Sequence, residues 1–191
     1  MKVINCFGDS LTYGARDEYG LSYPSYLQHL FDKNNFNFKG EKIIVHNSGI
    51  NGNTSSDLIR RLSKEFSQNQ NNFLLIILIG SNDAANKFPI KIYEKNLNSI
   101  IELSKQFYKS ILISEIPYMK DIGLPIYHNK TNLFIKSYNT VISKLSKKHN
   151  IDKIKLDKKL TNFIIDTVHY NSKGYQLIAK NIYDYIRKKY K

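Results

Sequence analysis

The chain has 191 residues, 41% of them hydrophobic, and a formal net charge of +13, which is enough apolar material for one well-buried core at a length near that of one domain. No apolar run approaches the ~18–20 residues that span a bilayer, the longest being residues 73–79, and Met1-Lys2 leads straight into an apolar strand rather than into a secretion signal. The expectation is therefore one cytoplasmic domain over residues 1–191 with no transmembrane segment. The single Cys6 has no partner for an internal disulfide and sits in that apolar strand, as a packed thiol would.

The charge is uneven, a net +2 over residues 1–100 against +11 over residues 101–191. A basic half attracts anionic polymers and surfaces, but 21 Asn and many solvent-suited lysines are spread along the chain, which reads as compositional bias. Nothing resembling a zinc finger, a phosphate-binding P-loop or an aromatic RNA-binding signature accompanies the lysines. No specific nucleic acid partner is expected, only weak attraction to anionic surfaces, and nothing in the sequence reports the oligomeric state.

In chain order, Val3, Ile4, Cys6 and Phe7 form a short buried strand that stops at Gly8-Asp9-Ser10, a small, polar, turn-forming sequence. Residues 15–21 are a charged loop, and Ser22 caps a helix with Pro24 in its first turn and Tyr23, Leu27, Leu30 and Phe31 facing inward. Residues 34–42 read as a polar turn. Residues 43–45 are a second strand running into a glycine-rich turn at residues 46–52, and Thr54 caps the next helix, with Leu58, Ile59 and Leu62 inward and Arg60, Arg61 and Lys64 solvated.

Residues 73–79 lack polar alternation, as a central parallel strand covered on both faces does, and end at Gly80-Ser81-Asn82-Asp83. Pro89 opens a long helix whose Leu97, Ile100, Ile101, Ser104, Phe107 and Tyr108 share one face. Residues 110–115 are a fourth strand. Pro117, Gly123 and Pro125 make residues 116–129 a loop beside the strand ends, and its apolar residues, among them Ile116, Tyr118, Met119, Ile122, Leu124, Ile126 and Tyr127, are the material for an acyl-pocket wall. Residues 133–148 are helical, residues 151–156 a short edge strand, and Ser172 caps a terminal helix with Ile178, Ile182, Tyr185 and Ile186 inward. Strands alternating with helices give an α/β fold, a three-layer α/β/α sandwich around a mostly parallel sheet of about five strands.

Ligands of such sheets bind at the carboxyl ends of the strands, where Ser10 lies. A serine or aspartate there commonly just closes a turn or caps a helix. A nucleophilic serine needs a general base oriented by a third group, and His169 with Asp166 three residues earlier supplies both, since that spacing puts the two side chains on one side of a turn. His29, His46, His128 and His149 have no such companion and are assigned no role. Acyl transfer further needs donors for the tetrahedral oxyanion. Gly49 and Asn82, at two further strand ends, are the candidates, although each is also an ordinary turn or cap residue. Asp83 reads as structural. No metal-ligand motif is present, and no cofactor is expected.

Four blocks, residues 7–14, 47–54, 80–83 and 166–175, together resemble the SGNH hydrolases, also called GDSL-type esterases and lipases, across nearly the whole chain. The resemblance is closest to the small bacterial lysophospholipase, thioesterase and arylesterase branch. It implies a flavodoxin-like five-stranded parallel sheet and a catalytic triad of Ser10, Asp166 and His169. It also implies an oxyanion hole from the Ser10 backbone N–H, Gly49 and Asn82. Thr167 departs from the pattern, since a glycine is frequent there. The absence of a Gly-x-Ser-x-Gly elbow disfavours an ordinary α/β-hydrolase. The implied activity is hydrolysis of small-molecule carboxylic esters, thioesters or sugar O-acetyl groups through an acyl-Ser10 intermediate. A carbohydrate O-acetyl esterase, a non-catalytic basic module for an acidic polymer or membrane, and a flavodoxin-like nucleotide binder are the alternatives. The complete set of five residues speaks against the last two.

Overall fold

The computed structural model describes residues 1–66, 72–120 and 130–190. Strand β1 (Lys2–Gly8) is followed by a single helical turn, α1 (Ser10–Tyr13), helix α2 (Tyr23–Lys33), the short β2 (Asn37–Phe38), β3 (Glu41–Gly49) and α3 (Ser55–Phe66). Then come β4 (Asn72–Leu78), the short α4 (Ser81–Ala85), α5 (Ile90–Ser104), β5 (Ser110–Ser114), α6 (Thr131–His149), β6 (Asp152–Ile154), a 3-10 helix (Lys158–Phe163) and α7 (Ser172–Lys189).

The described strands form one sheet in the order β2-β3-β1-β4-β5-β6. All neighbours are parallel except β2 and β3. Alternation along β4 decides the layering, because side chains two apart share a face. Leu74, Ile76 and Leu78 pack with Ile4 and Cys6 against Tyr23, Leu27 and Phe31 of α2 and Ile178, Ile182 and Ile186 of α7. Leu75 and Ile77 pack with Phe7 against Leu58 and Leu62 of α3, Leu97 and Ile101 of α5, and Tyr138 and Ile142 of α6. The uninterrupted apolar run of β4 thus serves two cores at once. Leaving β2 aside, the chain visits one side of β1 with β3 and crosses to the other with β4, so the order reverses at β1. The carboxyl ends of β1 and β4 flank that reversal, where an open sheet leaves its binding crevice.

Three details differ from the sequence reading. Residues 34–42 are not only a turn, because Asn37 and Phe38 pair with Lys42 and Glu41. Lys39 and Gly40 join them with positive φ of 52° and 80°, which suits the twist of a two-residue hairpin. The long helix ends at Ser104, so Phe107 is 40% exposed, while Tyr108 is buried from the connection that follows. The cap of α7 is Asn171, whose side chain accepts from Gly174 N, whereas the N–H and hydroxyl of Ser172 both donate to the Glu18 carboxylate, at 2.7 Å each.

Candidate active site

The end of β1 is shaped by close packing. A Cβ on Gly8 would stand 2.2 Å from Leu78 O and from Thr12 Oγ1, so only glycine lets the chain turn there. Asp9 caps α1 by accepting from Leu11 N at 2.9 Å, and Ser10 becomes the first helical residue, 7% exposed. Burial pushes the fully buried Asp9 carboxyl up to about 7.

Across from it, residues 164–170 fold back on themselves through an Ile164–Tyr170 bridge and an Ile165 N to His169 O bond. This turn brings Asp166 and His169 together. His169 Nδ1 lies 2.8 Å from Asp166 Oδ2, and His169 N donates to Asp166 Oδ1 at 2.9 Å. His169 Nε2 lies 2.9 Å from Ser10 Oγ. Partial burial of Asp166 acts to raise its pKa, but the hydrogen bonds from the His169 ring and backbone outweigh it and hold the carboxyl below the usual range. Carboxylate, imidazole and hydroxyl form one continuous chain, in which the carboxylate fixes the ring tautomer and leaves Nε2 free to accept the serine proton.

Thr167 occupies the bend between Asp166 and His169 with φ of +106°, which accounts for a glycine being the easier residue there. It is fully buried, its carbonyl accepts from Lys120 N at 2.8 Å, and its hydroxyl has no partner among the described residues.

The donors are arranged differently from the sequence reading. Asn82, on α4 at the end of β4, lines the cleft that contains Ser10 and His169, and its Nδ2 donates to Asn53 O at 2.9 Å. An amide nitrogen has two hydrogens, so one remains. Gly49 does not line the cleft, which removes it as an oxyanion donor. Its N–H is taken by Asn47 Oδ1 at 2.9 Å, and a Cβ on it would stand 2.1 Å from Tyr13 N. Gly49 is glycine because α1 crosses directly over it. Gly52, three residues on, lines the cleft instead with φ of +77° and with no hydrogen bond to its N–H among the described residues. In the sequence Gly52 is marked only as the second glycine of the turn at residues 46–52.

Arg61 is the other residue misplaced by the sequence. Its side chain is only 15% exposed. It donates to Gly8 O at 3.0 Å, Ser48 O at 2.7 Å and Asn53 Oδ1 at 2.9 Å, and pairs with Glu65. One guanidinium thus ties the end of β1 to the end of β3 and to the turn carrying Gly52. Asp83 is structural, as read, and accepts from the N–H and hydroxyl of Ser55 at the start of α3. His29, His46 and His149 do not line the cleft, and His128 lies outside the described residues.

The cleft is open, with a volume of ≈ 560 Å³, and among the described residues its apolar lining comes from Tyr13, Ala15 and Val168. Of the loop expected to wall an acyl pocket, Ile116 and Met119 are core residues and Tyr118 is 46% exposed away from the cleft. Ile122, Leu124, Ile126 and Tyr127 lie outside the described residues. A larger groove of ≈ 660 Å³ beside α6 and the 3-10 helix contains none of the triad.

Residues 6–177 match the GDSL-like lipase/acylhydrolase family. Among curated proteins the chain is 27% identical to the uncharacterized protein YpmR of Bacillus subtilis, over 97% of this chain and 82% of that one. It is 30% identical to an arylesterase of Vibrio mimicus over 61% of this chain and 55% of that one. Among solved structures, a lipase/acylhydrolase from Enterococcus faecalis superposes with a TM-score of 0.80 at 24% identity, covering 100% of this chain and 98% of the other. An acetylxylan esterase from Geobacillus stearothermophilus superposes at 0.74 and 20% identity, covering 98% and 93%.

Proposed function

The chain belongs to the GDSL-like lipase/acylhydrolase family, and on that premise we propose that it is a serine hydrolase of small carboxylic esters with short acyl groups. His169 removes the Ser10 proton as Oγ adds to the ester carbonyl, and Asp166 stabilises the imidazolium that forms. The oxyanion is received by the Ser10 and Gly52 backbone N–H groups and the free hydrogen of Asn82 Nδ2, each such donor being worth about a hundred- to a thousandfold in rate. His169 then protonates the leaving alcohol, and water, activated by the same imidazole, releases the acid from acyl-Ser10. The observation that carries the reading is the unbroken Asp166–His169–Ser10 hydrogen-bond chain, which a non-catalytic module has no need to assemble.

The short-acyl preference rests on the shape of the cleft. Each buried methylene contributes about 0.8 kcal/mol, roughly fourfold in binding, and the open cleft's apolar lining among the described residues, Tyr13, Ala15 and Val168, offers that for few carbons. The expected optimum on soluble aryl esters runs from acetyl to about hexanoyl. The arylesterase likeness supports this ester class, and thioesters and O-acetylated sugars are the neighbouring substrates to compare with it. A fluorophosphonate probe followed by peptide mapping tests the reading. Labelling confined to Ser10 and abolished in Ser10→Ala is expected, and an unlabelled wild type overturns it.

A further inference from the structure

Arg16 belongs to none of the roles above. It follows α1 in the segment after Ser10, holds a positive φ of 69°, and lines the same cleft as Ser10 and His169. Its Nε donates to Asp166 Oδ2 at a long 3.3 Å while its side chain stays 68% exposed. One of five guanidinium N–H groups is used there, and Nη1 and Nη2 form no hydrogen bond among the described residues. Among the described residues, Arg16 is, apart from His169, the one ionisable basic side chain lining the cleft, and no acidic side chain lines it.

We propose that Arg16 selects esters whose leaving alcohol carries an anionic oxyacid group, a carboxylate or a phosphate. This rests on the esterase reading above. The side of the substrate follows from the mechanism. His169 has to give its proton to the leaving oxygen, so the alcohol lies over Nε2. Asp166 sits at the opposite ring nitrogen with Arg16 on that carboxylate, and because Arg16 also lines the cleft, in the proposed mode the anionic group of the alcohol sits on its Nη groups. The oxyanion donors Gly52 and Asn82 come instead from the ends of β3 and β4 and face the acyl oxygen. Charge strengthens the preference as reaction proceeds. In the resting site Arg16 and Asp166 offset one another, whereas the imidazolium of the transition state leaves a net positive charge next to the alcohol. An anion there is bound more tightly in the transition state than in the ground state, which raises kcat/KM.

The test compares 4-acetoxybenzoate and 4-acetoxyphenyl phosphate with the neutral methyl 4-acetoxybenzoate, in wild type, Arg16→Gln and Arg16→Lys. The quantity read is the anionic-to-neutral ratio of kcat/KM, and comparing that ratio between variants cancels intrinsic leaving-group differences. For a partly exposed pair, R16Q is expected to lower the ratio by up to about fivefold at low salt, R16K to retain part of it, and added salt to shrink the wild-type ratio. A drop for only one anion names the group that the guanidinium takes. Ratios unmoved by R16Q for both anions reduce Arg16 to a brace on Asp166 and overturn the inference while leaving the esterase standing. A wild type that turns over none of the three esters overturns the hydrolase reading and this inference with it.

Discussion

The side-chain amide of Asn82 donates to the carbonyl of Asn53 at 2.9 Å, so the end of β4 is tied to the turn that carries Gly52. That bond orients the amide and leaves its second hydrogen for substrate. Asn82→Ala is expected to lower kcat by about two to three powers of ten with little change in KM, since an oxyanion donor acts chiefly in the transition state. Steady-state kinetics on an acetyl aryl ester measure both. A change confined to KM would make Asn82 a substrate holder.

The two glycines of the 47–54 block are expected to behave in opposite ways. Gly49→Ala drives a methyl into the backbone of α1, 2.1 Å from Tyr13 N, which the packed turn cannot accommodate, and the variant should be unfolded or strongly destabilised. At Gly52 no atom lies within 4 Å of a new Cβ, so the alanine variant meets only the cost of positive φ, about 1–2 kcal/mol. It should fold, with its loss concentrated in kcat as the amide swings out of place. Thermal melts and kinetics of the two variants decide it. Equal folding of both would refute the packing role of Gly49.

These glycines also mark the limit of what the sequence discloses. The sandwich and the approach of Asp166 to His169 were legible because each rests on a local pattern. The unbroken apolar run over residues 73–79 marks a strand buried on both faces, and the Asp166-to-His169 spacing places acid and base within one turn. Which glycine N–H faces the cleft depends on the path of α1 over the end of β3, a contact between segments about forty residues apart. Arg61 was read as solvated for a related reason. An arginine on an exposed-looking helix position carries no mark that carbonyls from two strand ends will converge on it. The β2 hairpin was missed because two residues are too few to show periodicity.

Thr167 holds a backbone conformation that suits glycine, at φ of +106°. Thr167→Gly and Thr167→Ala both delete the buried hydroxyl, but only glycine relieves the backbone. Thr167→Gly should therefore be the more stable of the two by about 1 kcal/mol, the left-handed penalty of 1–2 kcal/mol being partly offset by glycine's greater freedom in the unfolded chain. Urea denaturation of the pair measures the difference, and a more stable alanine variant would contradict the backbone argument.

Stability should carry a pH dependence traceable to Asp9. Burial pushes its carboxyl up to about 7, whereas an aspartate in the unfolded chain ionises near ~4. Between those values the folded protein holds a proton that the unfolded chain has released. The contribution is therefore fully present below about 4 and lost as the pH rises through about 7. Burial moves Asp83 in the same direction, while hydrogen bonds move Asp57 the opposite way, so the informative comparison is with Asp9→Asn. The asparagine oxygen can still accept from Leu11 N, and its amide replaces the Oδ2 that lacks a partner among the described residues. Urea midpoints of wild type and Asp9→Asn should lie closest at about pH 4 and draw apart progressively up to about pH 7, with the variant the more stable above it. Separation that grows toward acid instead would show that Asp9 stays ionised in the fold.

Arg61 offers the sharpest separation of structure from catalysis. Its guanidinium touches no cleft atom in the proposed cycle, yet it donates to Gly8 O, two residues before Ser10, to Ser48 O at the end of β3, and to Asn53 Oδ1 beside Gly52. Stacking of the guanidinium over the Phe7 ring at 5.4 Å completes the fit. Arg61→Met keeps most of the stem but removes the charged donor shared by Gly8 O, Ser48 O and Asn53 Oδ1, Gly8 O keeping only the Ile50 N–H at 3.2 Å, for an expected loss of about 2–4 kcal/mol, since hydrogen bonds to a charged donor are worth 1.5–3 kcal/mol each. Arg61→Lys restores the charge without the planar fork, so it should recover part of the stability while still failing to hold both strand ends at once. If Arg61 sets the distance between Ser10 and the Gly52 amide, both variants, assayed well below their melting temperatures, should lose about tenfold or more in kcat with KM changed far less, because small misplacements of reacting groups are costly. Denaturant midpoints and steady-state kinetics read the two effects separately. Variants that are less stable but keep wild-type kcat while folded would confine Arg61 to holding the fold, and the geometry of the oxyanion turn would then have to be fixed by the Asn82-to-Asn53 bond alone.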